Sequence, residues 1–324
     1  MARRVMLAIL LLQLCFALAV AGLAVHLAPQ LGWSGPGWPA ALLLGLASVV
    51  LVRMVISGNN FRMARRAGGP VPAPHALAPA GFLRMFAREF ASSMTMQTWT
   101  MLCPRTTLHL AGGNGPGTPP VLPMLPVLLV HGYACNGAYW SRLAAQLRRA
   151  GVSYMTVDLE PLGAGIDDYA PQIEAALQQL CAATGRPQAI VVGHSMGGLA
   201  ARAHLRAFGS ARVARVITLG TPHHGTALAG FGPGLNARQM QRNSDWLAGL
   251  AASEPPEVRA LMVSLWSHHD NIVAPQDSAR LPGARNVELG GIGHVAIGSH
   301  PATLRFVLDE VAQLSRDCAV LETK

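Results

Sequence analysis

The chain has 324 residues, 51% of them hydrophobic and only 13% charged, with five Cys and a net charge of +9. That length suits one domain of about 200–250 residues plus an extra segment. The composition excludes a disordered chain, a coiled coil, a collagen-like fibre and a disulfide scaffold. The excess charge is not a nucleic-acid signature. Six Arg (Arg3, Arg4, Arg53, Arg62, Arg65, Arg66) and no acid fall in residues 1–74, whereas 75–324 hold 19 basic and 16 acidic residues. No basic stripe with interleaved aromatics occurs, so no nucleic-acid partner is expected.

Residues 1–74 read as a membrane anchor and linker. Val5 to Val25 is a run of 21 residues with one polar side chain, Gln13. At ~1.5 Å per residue it crosses a hydrocarbon layer of ~30 Å. A second apolar run, residues 38–56, is broken only by Arg53, placed where its head can snorkel to the interface. Trp33 and Trp38 suit an interfacial belt. Arginines flank the pair of runs and none lies between them, which predicts a two-span hairpin in a bacterial inner membrane with the following domain cytoplasmic. The alternatives are one span with that domain facing the periplasm, or a cleaved signal peptide. Cys103, Cys135, Cys181 and Cys318 show no paired spacing, as suits a reducing compartment.

Residues 75–119 read as an amphipathic helix and linker. Phe82, Met85, Phe86 and Phe90 recur at helical spacing and predict a helix over 80–92, lying either on the membrane surface or against the domain. Gly112 to Pro120 is turn-rich, and the catalytic domain is placed at 120–318. There, short apolar runs alternate with helical patterns: strands over 126–130, 153–159, 188–192, 213–219, 261–266 and 287–289, and helices over 139–150, 169–183, 196–208 and 301–314. Continuous apolar strands separated by helices predict a mostly parallel sheet covered on both faces, with ligands at the strands' carboxyl ends.

Every chemical motif falls at those ends. Gly193-His-Ser-Met-Gly197 is a G-x-S-x-G elbow between a strand and a helix, with Ser195 the expected nucleophile. The turn demands glycine at 193 and 197, and Gly198 allows close helix packing. A serine hydroxyl needs a base. Among the 12 His, His294 follows the last strand in a glycine-rich loop. His194 points elsewhere in an elbow; His223, His224, His268 and His269 are fallbacks, and His300 caps the last helix. Asp270, after the strand over 261–266, is the expected orienting acid, with Asp277 its rival and Asp245 in a cap region. Two backbone N–H donors, of Tyr133 and Met196, are expected to stabilise an oxyanion. His131 reads as a brace, and Cys135 as a small buried residue.

These residues together resemble the bacterial lipases and esterases of the α/β-hydrolase superfamily. Val127-Leu-Leu-Val-His-Gly-Tyr133 is similar to their oxyanion strand and loop, Gly193 to Gly198 to their elbow, Val216 to Gly225 to a segment of true lipases, and Ser264 to His294 to their triad end. The resemblance covers roughly 120–315 and departs from secreted lipases in residues 1–115. It implies an α/β-hydrolase fold and hydrolysis of carboxylic esters through an acyl-serine, with no cofactor and no metal. Residues 225–256 sit where caps are inserted, either a flexible lid over an acyl pocket or a packed insertion; with the anchor, their apolar character points to a lipid or long-acyl ester. An acyltransferase or thioesterase on the same frame remains an alternative, as does an inactive membrane-tethered scaffold.

Overall fold

The apolar runs after residue 120 become one twisted sheet because each offers side chains to both faces. A computed structural model describes residues 1–32, 34–102, 107–112 and 124–322, side chains 319–322 excepted. Trp33, Cys103 and the boundary at Pro120 lie outside the described residues. The strands are β1 (Leu108–His109), β2 (Val127–Val130), β3 (Tyr154–Val157), β4 (Ala189–His194), β5 (Val213–Leu219), β6 (Met262–Ser267) and β7 (Arg285–Leu289). Their order in the sheet is β1-β3-β2-β4-β5-β6-β7. All neighbours are parallel except β1, an antiparallel edge on β3 that the sequence patterns do not reveal.

The helices are α1 (Ala2–Gln30), α2 (Trp38–Ala67), α3 (Pro79–Thr98), α4 (Ser141–Arg149), α5 (Ala170–Thr184), α6 (Met196–Phe208), α7 (Leu235–Gln239), α8 (Asp245–Ala252), α9 (Pro256–Ala260) and α10 (Pro301–Glu322). Side chains alternate along β2. Leu128 and Val130 face Tyr169, Ile173 and Leu177 beside α5 and Leu199 of α6. Val127 and Leu129 face Leu143 and Leu147 of α4 and Val307 and Val311 of α10. Burial on both faces is why this strand reads as a continuous apolar run rather than an alternating one. Each such side chain contributes roughly 1.5–3 kcal/mol. From β2 the chain passes to β3 on one side and later to β4 on the other. The loops after β2 and β4 therefore face one another across a switch point, where open parallel sheets bind ligands.

The N-terminal helices obey other rules. α1 and α2 are each long and apolar enough to cross a membrane. Their apolar side chains face outward: Leu12 is 71% and Leu43 68% exposed. Their mutual seam is of small residues, with Ala17, Ala21 and Ala41 buried. A Cβ on Gly45 would overlap the Ala17 carbonyl, the close approach that membrane helices use.

Arg53 corrects the snorkelling expectation. It is buried, and its Nη2 donates to Gln13 Oε1 at 2.9 Å while its Nη1 meets Met94 Sδ at 3.1 Å. α2 runs on to Ala67, so Arg53 lies at the middle of the helix and finds the polar side chain of α1 instead. The open ends of the hairpin both lie at the domain. Ala2 and Met6 cluster with Met101 and Cys135, and Asn60 and Met63 line a cavity there. α3 is longer than the 80–92 expected and has two working faces. Phe82 and Phe86 rest on Phe61 of α2, with ring centroids 5.7 Å apart in each case; Met85 and Glu89 are buried against the domain.

Candidate active site

Ser195 sits at the point where β4 becomes α6. Its φ of 53° and ψ of −124° belong to a region that non-glycine residues avoid. The neighbouring glycines make the turn possible. A Cβ on Gly193 would lie 2.7 Å from the Gly198 nitrogen, and one on Gly197 would overlap the carbonyls of Val130 and His131. Ser195 N–H bonds to the Leu219 carbonyl at 2.9 Å, which leaves the side chain standing above the sheet.

The structure brings Ser195, His294 and Asp270 together, all three buried. His294 Nε2 is 3.0 Å from Ser195 Oγ, and its Nδ1 is 2.8 Å from Asp270 Oδ2. The second oxygen, Asp270 Oδ1, accepts the N–H groups of Ile272 and Val273, each at 2.8 Å. A carboxylate so fixed takes Nδ1–H as donor and leaves the Nε2 lone pair facing the serine hydroxyl. Burial works against the charged imidazole. The charge and hydrogen bond of Asp270, with the charge of Glu89, nonetheless hold His294 above the ordinary histidine value. That suits a group that must store a proton in mid-reaction.

The other candidates lie elsewhere. Asp277 belongs to the 3-10 turn Gln276–Ala279, and Asp245 opens α8. His223 is buried beside Arg202 and Thr218. His269 Nδ1 accepts the Gly291 N–H, and His300 Nδ1 accepts the Ala302 N–H at 3.3 Å at the start of α10. His131 braces two loops: its Nδ1 bonds to the Gly132 carbonyl at 2.8 Å and its Nε2 accepts the Leu159 N–H at 3.0 Å. That pair of bonds requires the neutral ring, and burial pushes its pKa down accordingly. Burial pushes the Cys135 thiol up to about 12, which keeps it protonated and poorly nucleophilic.

Tyr133 and Met196 flank Ser195 from the loops after β2 and β4. Among the described residues no backbone carbonyl takes either N–H. Gly132 is close enough that a Cβ there would stand 3.0 Å from Ser195 Cβ. An apolar cavity of about 270 Å³ opens beside Ser195, walled by Tyr133, Leu228, Phe231, Met240 and Ile272 and, from α2, by Asn60 and Met63. From the 225–256 segment, the 3-10 turn Ala227–Phe231 and α7 contribute to the wall, α7 through Ala237. The segment is tied down by Tyr133 Oη to the Pro233 carbonyl at 2.6 Å and by a buried two-pronged pair, Arg202 to Glu254, at 2.6 and 2.7 Å.

Several contributors escaped the sequence reading. Asn271 Oδ1 accepts the His294 N–H at 2.9 Å, and His194 Nε2 bonds to the His294 carbonyl at 3.0 Å. Glu89, from α3, bonds to the residues that follow His294. Nothing in the sequence flags it, because one acid on an amphipathic helix ordinarily faces water. His75, His268 and Glu288 also converge, with ligand atoms within 4.8 Å of one another. Their separation along the chain hides them from any spacing rule.

Sheet order, elbow and crossing helices give the domain the α/β-hydrolase fold. Residues 126–250 match the family described as the alpha/beta hydrolase fold. Triacylglycerol lipases of Pseudarthrobacter phenanthrenivorans and Burkholderia plantarii are each 34% identical over 114 residues, 33% of this chain and 35% and 32% of theirs. The chain thus spans about a third of the length of the curated relatives it matches. The mature Bacillus licheniformis lipase BlEst2 superposes with a TM-score of 0.54 at 22% identity, over 61% of this chain and 96% of that one. That likeness is one of fold.

Proposed function

We propose that the chain is a membrane-anchored serine hydrolase that cleaves lipid or long-acyl carboxylic esters through an acyl-serine. The observation that carries this reading is the Ser195–His294–Asp270 relay, at 3.0 and 2.8 Å, opening onto an apolar cavity. The match to curated triacylglycerol lipases supports it.

In this mechanism Ser195 Oγ attacks the ester carbonyl carbon as its proton passes to His294 Nε2. The oxyanion accepts the Tyr133 and Met196 N–H groups. The tetrahedral species collapses, and the alcohol leaves with the proton from His294. A water, deprotonated by His294, then attacks the acyl carbon, and the acid departs as Ser195 regains its hydrogen.

A cavity wall supplied by the far end of α2 favours a substrate that arrives from the membrane surface. A two-span hairpin with both ends at the domain, and the arginines before the first run and after the second, support a domain that faces the cytoplasm of a bacterial cell.

The test is hydrolysis of p-nitrophenyl esters from acetate to palmitate by the full chain in detergent micelles. The expected result is cleavage of the long esters and a loss of at least roughly a thousandfold in Ser195→Ala. Cleavage of short esters alone overturns the lipid substrate. Equal activity of Ser195→Ala overturns the acyl-serine.

A further inference from the structure

The loop that carries His294 is gripped from three directions. Asn271 takes the His294 N–H at 2.9 Å, and His194 bonds to its carbonyl at 3.0 Å. The next two N–H groups, of Val295 and Ala296, donate to Glu89 Oε1 at 2.9 Å and Oε2 at 2.8 Å. Glu89 belongs to α3, before the hydrolase domain begins, and is 206 positions from Val295. Its side chain is 2% exposed. The loop is shaped to receive it: a Cβ on Gly293 would lie 2.5 Å from Glu89 Oε2.

A buried acid is costly to ionise, and burial pushes the Glu89 pKa up. The two N–H bonds and the charge of His294 pull it only part of the way back, and the net direction stays upward; both oxygens nonetheless serve as acceptors, the arrangement of a carboxylate. No Lys or Arg pairs with it among the described residues. Support for the loop backbone alone needs only a neutral acceptor. A carboxylate adds negative charge next to the imidazole that becomes positive in the reaction.

We propose that Glu89 is a positioning residue, holding the His294 loop and supporting the imidazolium, so that the membrane-proximal helix completes the active site. This rests on the acyl-serine reading. α3 is itself seated on the hairpin through Phe61 and through Arg53 with Met94. The active site is thereby wired to the anchor.

The titratable groups that face His294 are Asp270, Glu89 and the His194 ring, its centroid 4.7 Å away. Those that face Glu89 are His294, Asp270 and the Tyr139 hydroxyl.

The experiment uses the full chain in detergent micelles with p-nitrophenyl butyrate. Rates are expressed per serine titrated by a fluorophosphonate, across a pH series. In Glu89→Gln, which keeps the shape, kcat falls at least about tenfold with KM within about twofold. The acid limb of kcat/KM moves down by about half a pH unit or more, because an imidazolium with one negative neighbour fewer gives up its proton more readily. Glu89→Asp keeps the charge, so its acid limb stays and kcat is partly restored. The proposal is overturned if Glu89→Gln keeps kcat within about twofold and the limb in place, even with a lowered Tm. It is overturned as well if Asp and Gln variants lose kcat equally with the limb unmoved. Ser195→Ala runs alongside: undiminished activity there defeats the acyl-serine reading rather than the role of Glu89.

Discussion

The hairpin and the hydrolase domain turn the same residue types in opposite directions. In the domain, Leu128, Leu129, Leu143 and Leu147 are sealed inside, at or below 1% exposure, and buried charged groups such as Asp270 and Arg202 are held by specific partners. In the hairpin, Leu11, Leu12, Leu43 and Leu46 point out and alanines and Gly45 point in. Water drives leucine inward in the domain. Between two helices in the proposed lipid setting no such force exists, so contact goes to the side chains that allow the backbones to touch. The domain is thus held by burial and specific polar pairing, the hairpin by shape. α3 is the joint between them, with an aromatic face for α2 and Met85 and Glu89 for the domain.

That contrast is open to attack at several points. The largest effect is expected at Asp270→Asn, which removes the acceptor that fixes the His294 tautomer. Ester hydrolysis falls on the order of ten-thousandfold in steady-state assays while membrane attachment is untouched. Equal losses in both would mean that the two regions do not fold independently.

Next comes Glu254→Ala, which strands the buried Arg202 charge. Denaturant unfolding of the domain should show a loss of about 3–5 kcal/mol.

A smaller effect is predicted for pH. His131, His194 and His223 are buried and held neutral, their pKa values pushed down chiefly by burial. Below the unfolded value of about 6.5 the unfolded chain binds protons that these rings refuse, so stability is full above that pH and declines beneath it. His294, whose value is raised, works in the opposite sense and blunts the slope. Thermal melts from neutral to mildly acidic pH would show the decline, and a flat profile would contradict the burial argument.

The smallest expected change in the domain is that of Gly45→Leu. It forces α1 and α2 apart and lowers cysteine cross-linking between Ala21→Cys and Ala41→Cys, with the domain Tm almost unmoved.

How much of this was legible beforehand depends on distance along the chain. The elbow is a local pattern, since strand, Gly-x-Ser-x-Gly and helix must be contiguous for the backbone to turn so tightly. Asp270 and His294 are legible because parallel strands return every ligand loop to the same edge of the sheet. The apolar helices announce themselves by length.

Other contacts were hidden because each joins residues that carry no mark of their own. Arg53 reads as a snorkelling end group until α2 is seen to continue past it, whereupon Gln13 is the polar partner at its depth. Arg202 on α6 and Glu254 within the 225–256 segment show no local pattern that would pair them. Glu89 carries no mark in the sequence, and its burial at 2% exposure is visible only in the fold.

The sequence by itself determined the class of the domain, the order Ser195, Asp270, His294, and the presence of two spanning-length apolar helices. Periodicity and local sterics suffice for these. Only the tertiary structure decided which groups steady His294, what shares the fate of Arg53, and that the end of α2 walls the cavity at Ser195. These are contacts between segments tens to hundreds of residues apart, and burial assigns meaning to a charge only once its neighbours are known.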